Sequence, residues 1–182
     1  AGSGGAIRLD VDTLSGTGQV AANGGNGATI WWGTGGSGGG GRVAIYHNKP
    51  SSFNFASRVT AHGGNGGTGV GAVGTVYHKQ SGAAGQLLLA NHGTPAGVWT
   101  PLGSLTDTVF QADTLLISGT GMVVATVSGA PIQANELSVL EGATLTHPVT
   151  TTNQSYSLRL IIAGKLTIDG TSKIDVVGRG FT

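Results

Sequence analysis

Cysteine is absent from this 182-residue chain, so neither a disulfide framework nor a cysteine-bound metal is open to it. Charge is scarce: Asp, Glu, Lys and Arg make up 9 % of residues, against about 25 % in ordinary soluble proteins. The net charge is +1 and the nine basic residues are scattered, which excludes the basic patch that nucleic acid requires. No apolar run approaches the roughly 18 residues of a membrane helix, so no membrane insertion is expected. No stretch carries a 3.6-residue apolar period over ten or more positions, and helix content is expected to be negligible. There is no initiator Met and no signal sequence at Ala1. The chain is therefore expected to be a segment or a matured product.

Glycine is what the chain has in abundance. It has 35 glycines, 26 of them in the first 97 residues. They cluster as AGSGG (1–5), NGGNG (23–27), GTGGSGGGG (33–41) and HGGNGGTGVG (62–71). A glycine run cannot hold a helix or a packed strand by itself, because its unfolded freedom is too large. These runs are punctuated by Asn, Ser, Thr and Ala, lack Lys, Glu and Pro, and recur beside similar β-rich words. Free loops are one reading. The other is that several runs lie side by side in an extended threefold, polyglycine-II-like conformation, bonding laterally through their backbones.

Self-comparison supports a repeated unit. GGAIRLDV (4–11) resembles GGRVAIYH (40–47), 36 residues on. VAANGGNG (20–27) resembles VTAHGGNG (59–66), 39 residues on, and IYHNK (45–49) is echoed by VYHKQ (76–80), 31 residues on. LRLII (158–162) matches IRLDV (7–11), and KIDVVGRG (173–180) matches QVAANGG (19–25). Alternation in Ile7/Leu9/Val11 and Leu166/Ile168 is the period-2 signature of half-buried strands. Further strands are expected near 86–90, 108–112, 114–118, 122–127, 136–140 and 143–146, with turns at 119–121, 128–131 and 141–142.

Short strands with short turns suit a β-sandwich or a β-solenoid. The solenoid also accounts for repeated words, because equivalent positions stack. The expectation is a single all-β module over 1–182, a parallel β-helix or β-solenoid. It divides into glycine-rich coils (1–84), glycine-poorer coils (85–150) and coils repeating the N-terminal pattern (151–182).

Motifs with chemistry are weak. GxGxxG arises freely in so glycine-rich a chain, and no helix follows it as a dinucleotide site requires. A phosphate loop is absent, and GGNGATIWW (24–32) lacks the Asp of a calcium-binding nonapeptide. Asp10 and Asp12 share a strand face with Arg8, the residue types of a polysaccharide lyase. Alternation equally places them on the solvent face, opposite Ile7, Leu9 and Val11. The five histidines lack zinc-hydrolase spacing, and no Ser–His–Asp unit is visible, so no catalytic residue, metal site or cofactor is expected. His47 and His78 occupy equivalent places in a repeated word and are expected to stack. Trp31, Trp32 and Trp99 are candidate platforms for sugar.

The words GSGGAIRLDVDTLSGTGQVAANGG, GGGGRVAIY and KLTIDGTSKIDVVGRG resemble the glycine-rich β-repeats of very large secreted bacterial surface proteins. The resemblance covers 1–79 and 158–180 well, and 85–150 only in style. It implies a right-handed parallel β-helix or solenoid in an adhesin-like or matrix-forming protein, extracellular or on the cell surface, with no catalytic residues. A second copy placed after Thr182 would put its Ile7 at position 189, 31 residues after Leu158, within the internal offsets. The expected function is therefore structural and non-enzymatic. Copies or adjoining tandem repeats would stack head to tail through ends marked by Ile7, Leu9, Leu158 and Leu160. A glycan-binding or phage-fibre-like adhesin and a β-helix polysaccharide lyase are the rivals.

Overall fold

A computed structural model describes residues 1–31, 33–96 and 99–181. Among the described residues the strands are β1 (Ala6–Val11), β2 (Val20–Ala21), β3 (Thr29–Ile30), β4 (Gly33–Thr34), β5 (Arg42–His47), β6 (Val59–Thr60), β7 (Thr75–Gln80) and β8 (Gln86–Ala90). The chain continues through β9 (Thr100–Leu102), β10 (Phe110–Ser118), β11 (Val123–Thr126), β12 (Ile132–Leu140), β13 (Thr144–Thr146), β14 (Leu160–Ile168) and β15 (Lys173–Ile174). Among the described residues helix is confined to a single turn, α1 (Phe55–Arg58), where the Asn54 side chain caps the Ser57 N–H.

A seven-stranded sheet in the order β1-β5-β7-β8-β10-β12-β14 spans the molecule. Strands β1, β5 and β7 are mutually parallel, and so are β8, β10, β12 and β14. The two blocks meet antiparallel at β7 and β8. The cause is loop length. Five residues, 81–85, separate these strands, and a parallel connection needs about a dozen or more. Gly82, at φ 76°, supplies the left-handed turn that closes the hairpin.

This reversal overturns the expected single parallel β-helix or β-solenoid. The fold is nearly all β with negligible helix, but its sheets are mixed: β3 and β4 also pair antiparallel. The two blocks further bury opposite faces of the shared sheet. Paired residues on neighbouring strands point to one side, so register traces each face across the molecule. One row runs Ile7, Val43, Val76, Leu88, Leu116, Ser138, Thr167. It begins in a core and ends in polar residues. The opposite row runs Arg8, Ala44, Tyr77, Leu87, Leu115, Leu137, Leu166, from charge into a second core.

The N-terminal core gathers Val43, Ile45, Val76 and Leu88 with Phe53, Val59 and Ala61. In the C-terminal core, Leu89, Leu115, Ile117, Leu137 and Val139 meet Leu102, Val124 and Leu145 of a four-stranded parallel sheet, β15-β13-β11-β9. β8 serves both. Its run QLLLA is apolar on both faces, so Leu88 packs into one core while Leu87 and Leu89 pack into the other.

The glycine runs stand beside the N-terminal block and are bonded to each other. Gly71 N–H donates to Gly64 O at 2.9 Å, Gly64 N–H to Gly38 O at 2.8 Å, Gly38 N–H to Gly25 O at 2.9 Å and Gly25 N–H to Gly2 O at 2.9 Å. Four separate stretches of chain are thereby linked in one lateral relay. The approach is too close for side chains: a Cβ on Gly38 would overlap the Gly2 carbonyl, and one on Gly71 would overlap the Gly38 carbonyl. Backbone groups that a loop would leave to water are thus satisfied internally.

Candidate functional site

The large sheet is open, and its edges are β1 and β14. Among the described residues no strand lies beside either, so each presents a row of backbone donors and acceptors. On β1, Ile7 and Leu9 are half-buried toward the N-terminal core, while Arg8 and Asp10 face the other side. Arg8 binds Asp10 through two hydrogen bonds, 2.7 and 3.0 Å, and its guanidinium lies 4.9 Å from the centre of the Tyr46 ring. The Arg8 hydrogen bond holds the Asp10 carboxyl below the usual carboxylate range. Asp12 is taken up by Lys49 and accepts a hydrogen bond from Asn48. Arg8, Asp10 and Asp12 therefore form two separate ion pairs.

On β14 the contrast with its neighbour is sharp. Leu137 and Val139 of β12 are 0 % exposed, yet their register partners Leu166 and Ile168 are each 43 % exposed. Leu158 and Leu160 are half-buried against the same core, and Val177, beyond β15, is 87 % exposed. The core is thus sectioned rather than capped at this end. Past Ile168 the chain turns on Asp169, whose carboxylate accepts from the Glu141, Thr171 and Ser172 N–H groups and the Thr171 hydroxyl. These donors, that of Glu141 foremost, hold the Asp169 carboxyl far below its ordinary range and keep it ionised.

The two predicted histidines lie on adjacent strands but out of step. His47 pairs with Gln80 and His78 with Ile45, a displacement of two residues from the match of IYHNK with VYHKQ. Phe55 of α1 stands between the imidazoles instead, 4.3 Å from His78 at 5° and 5.4 Å from His47 at 17° between ring planes. His47 Nδ1 contacts the Lys49 carbonyl, and His78 Nε2 contacts Gln86 Oε1 at 2.9 Å.

Burial pushes the His78 pKa down, and it does the same to His92. An unfolded chain protonates these rings near pH 6.5, while the folded one resists until lower pH. Stability is therefore full above about pH 6.5 and lost as pH falls toward the folded pKa values. Urea unfolding at pH 7.5 and 5.5 is expected to show that loss, and His78→Gln to shrink it to the part owed to His92. An identical pH dependence in the variant would refute the assignment.

Trp31 sits at the turn joining β3 and β4 and is 93 % exposed. Trp99 lines a shallow hollow of about 270 Å³ with Pro148, Val149 and Arg179. Trp32 lies outside the described residues. No group of three or more His, Asp or Glu side chains converges among the described residues, and none of their helices is long and apolar enough to cross a membrane.

A groove of about 380 Å³ beside Tyr77, Asp113, Asn135 and Ile161 was not anticipated. Its floor carries an amide pair, Gln111 Nε2 donating to Gln133 Oε1 at 3.1 Å. The signal for it was present: FQADTLLIS and IQANELSVL carry Gln-Ala at the same place, 22 residues apart, which is the pairing register. No family model, no curated protein and no solved structure matches this chain.

Proposed function

We propose that this chain is a structural, non-enzymatic module that self-associates through the free edges of its large sheet, building an extended assembly outside the cell or at its surface. The observation that carries this reading is the sectioned core, with Leu166 and Ile168 in register with fully buried residues and themselves open to water. Another layer of polypeptide covers such a surface with least reorganisation, since backbone ladder and apolar row both continue. The resemblance of the glycine-rich words to bacterial surface repeats supports the location.

Sedimentation velocity across a wide concentration range tests the reading. Association that grows with concentration is expected, and Leu166→Asp/Ile168→Asp should weaken it. A wild-type chain that stays monomeric at the highest concentrations overturns the proposal.

The exposure of Trp31 favours a second reading, contact with surface glycans. Glycan-array binding lost in Trp31→Ala would support it, and a blank array would remove it.

A further inference from the structure

The head-to-tail arrangement expected from the repeats meets an obstacle in the fold. β1 and β14 belong to blocks that run in opposite directions and bury opposite faces of the sheet. Stacking a copy by translation would set the charged face of β1, Arg8 and Asp10, alongside Leu166 and Ile168. It would also set Ile7 and Leu9 alongside Lys165 and Thr167. Inside the chain the same mismatch is resolved at β8 by a strand apolar on both faces. The segment Lys165–Asp169 alternates strictly and offers no such remedy.

The two edges carry a different signal. Reversed upon itself about Thr167, the stretch Lys165-Leu166-Thr167-Ile168-Asp169 sets Leu166 against Ile168 of a second copy, and Lys165 against its Asp169, which lies just past β14 and stays ionised in the turn it closes. Reversed about Leu9, the stretch Ile7-Arg8-Leu9-Asp10-Val11 sets Arg8 against Asp10, and Ile7 against Val11. Each edge is thus complementary to itself, with opposite charges opposed and apolar residues matched on one face. Antiparallel pairing about a two-fold axis normal to the sheet keeps each face on its own side, so the apolar row ending at Leu166 and Ile168 runs on into the second copy.

Resting on the self-association proposed above, we infer that each edge pairs with the same edge of another copy: β14 with β14 about Thr167, and β1 with β1 about Leu9. The assembly then alternates two kinds of two-fold contact. Its partner at both ends is a second copy of this chain, related by rotation and not by translation. At the β1 contact the Arg8–Asp10 pair within one chain opens into two pairs between chains.

Edge-specific charge reversal separates the arrangements, because a head-to-tail contact consumes both edges and a two-fold contact only one. Arg8→Asp opposes acid to acid at β1, and Lys165→Glu does so at β14. With alternating two-folds, each variant alone is expected to stop at dimers, and the double variant at monomers, by sedimentation velocity. Monomers from either single variant would overturn the inference while leaving self-association intact. A monomeric wild type would instead remove the reading beneath it. Thr167→Cys supplies an independent check in this cysteine-free chain. Positions opposed across the dyad lie about 4.5–5.5 Å apart at Cα, within disulfide reach. Oxidation is expected to give a covalent dimer as the main product, with Thr17→Cys in an exposed turn as the collision control. Thr167→Cys that crosslinks no more than the control also overturns the inference.

Discussion

Gly38→Ala is expected to lower stability by about 3 kcal/mol or more, far above the effect of adding a methyl group at an ordinary surface position. The new Cβ would overlap the Gly2 carbonyl oxygen, and Gly38 is buried. The obstructing atom is backbone, so no side chain can swing aside. Relief requires separating two segments, and Gly38 also bonds both Gly25 and Gly64. Gly36→Ala and Gly18→Ala are the controls. Nothing lies within 4 Å of a Cβ at either site, and neither has positive φ. Each should be neutral or stabilising by up to about 1 kcal/mol, through reduced freedom of the unfolded chain. Gly71→Ala should resemble Gly38→Ala, and because Gly71 presses on the Gly38 carbonyl the two costs should not add. Midpoints of urea unfolding at constant slope read these values. If Gly38→Ala matched Gly36→Ala, the glycine segments would not be in contact and the lateral relay would have to be abandoned.

That relay explains why glycine is concentrated in the first half of the chain. Side chains add packing energy only when the backbones are far enough apart to admit them. Here the segments exchange that energy for hydrogen bonds and close backbone approach. Polar residues within the runs take up what remains: Ser37 accepts from Gly27 N–H and donates to Gly66 O, each at 3.0 Å. Asn26 caps the Asn65 N–H, and Asn23 the His62 N–H. The result is a flank held by backbone hydrogen bonds, with no Asp, Glu, Lys or Arg in the glycine runs themselves.

Local pairing was legible in the repeats wherever the repeated word carried its own register. The 36-residue match of GGAIRLDV with GGRVAIYH is the β1–β5 pairing, Ile7 opposite Val43. The 39-residue match of VAANGGNG with VTAHGGNG is the β2–β6 pairing, Val20 opposite Val59. The Tyr-His match misled, because two conspicuous residues outweighed the alternation around them. The true offset, Arg42 to Thr75, follows the apolar rows. LRLII and IRLDV resemble each other without meeting: β14 and β1 lie at opposite edges of the sheet. The break expected between 112 and 114 is absent: Asp113 lies inside the continuous β10 with its carboxylate accepting the Gly85 N–H. What escaped altogether was the reversal at β7 and β8. Its traces are the shortness of 81–85 and the doubly apolar Leu87-Leu88-Leu89, and neither speaks of direction until the neighbouring strands are in place.

The second large effect concerns the row Leu87, Leu115, Leu137, Leu166, in which one side-chain type runs from half-buried through two fully buried positions to exposed. Leu137→Ala should cost about 2–5 kcal/mol, since its side chain is fully buried and the surrounding sheets cannot collapse onto the cavity. Leu166→Ala, in dilute monomer, should cost only about 1 kcal/mol, because nearly half of the residue already meets water. The difference between the two belongs to the open edge. Once chains associate, Leu166 becomes an interior residue and its truncation must weaken the contact instead. An added penalty of about 1.4 kcal/mol would appear as a tenfold weaker association. Leu137→Ala acts oppositely, lowering the stability of the monomer while leaving the geometry of the edge in place. Urea unfolding at low concentration and sedimentation at high concentration read the two quantities separately. Equal unfolding costs at both positions would mean that the β14 edge is already covered in the single chain, and the case for assembly through it would end there.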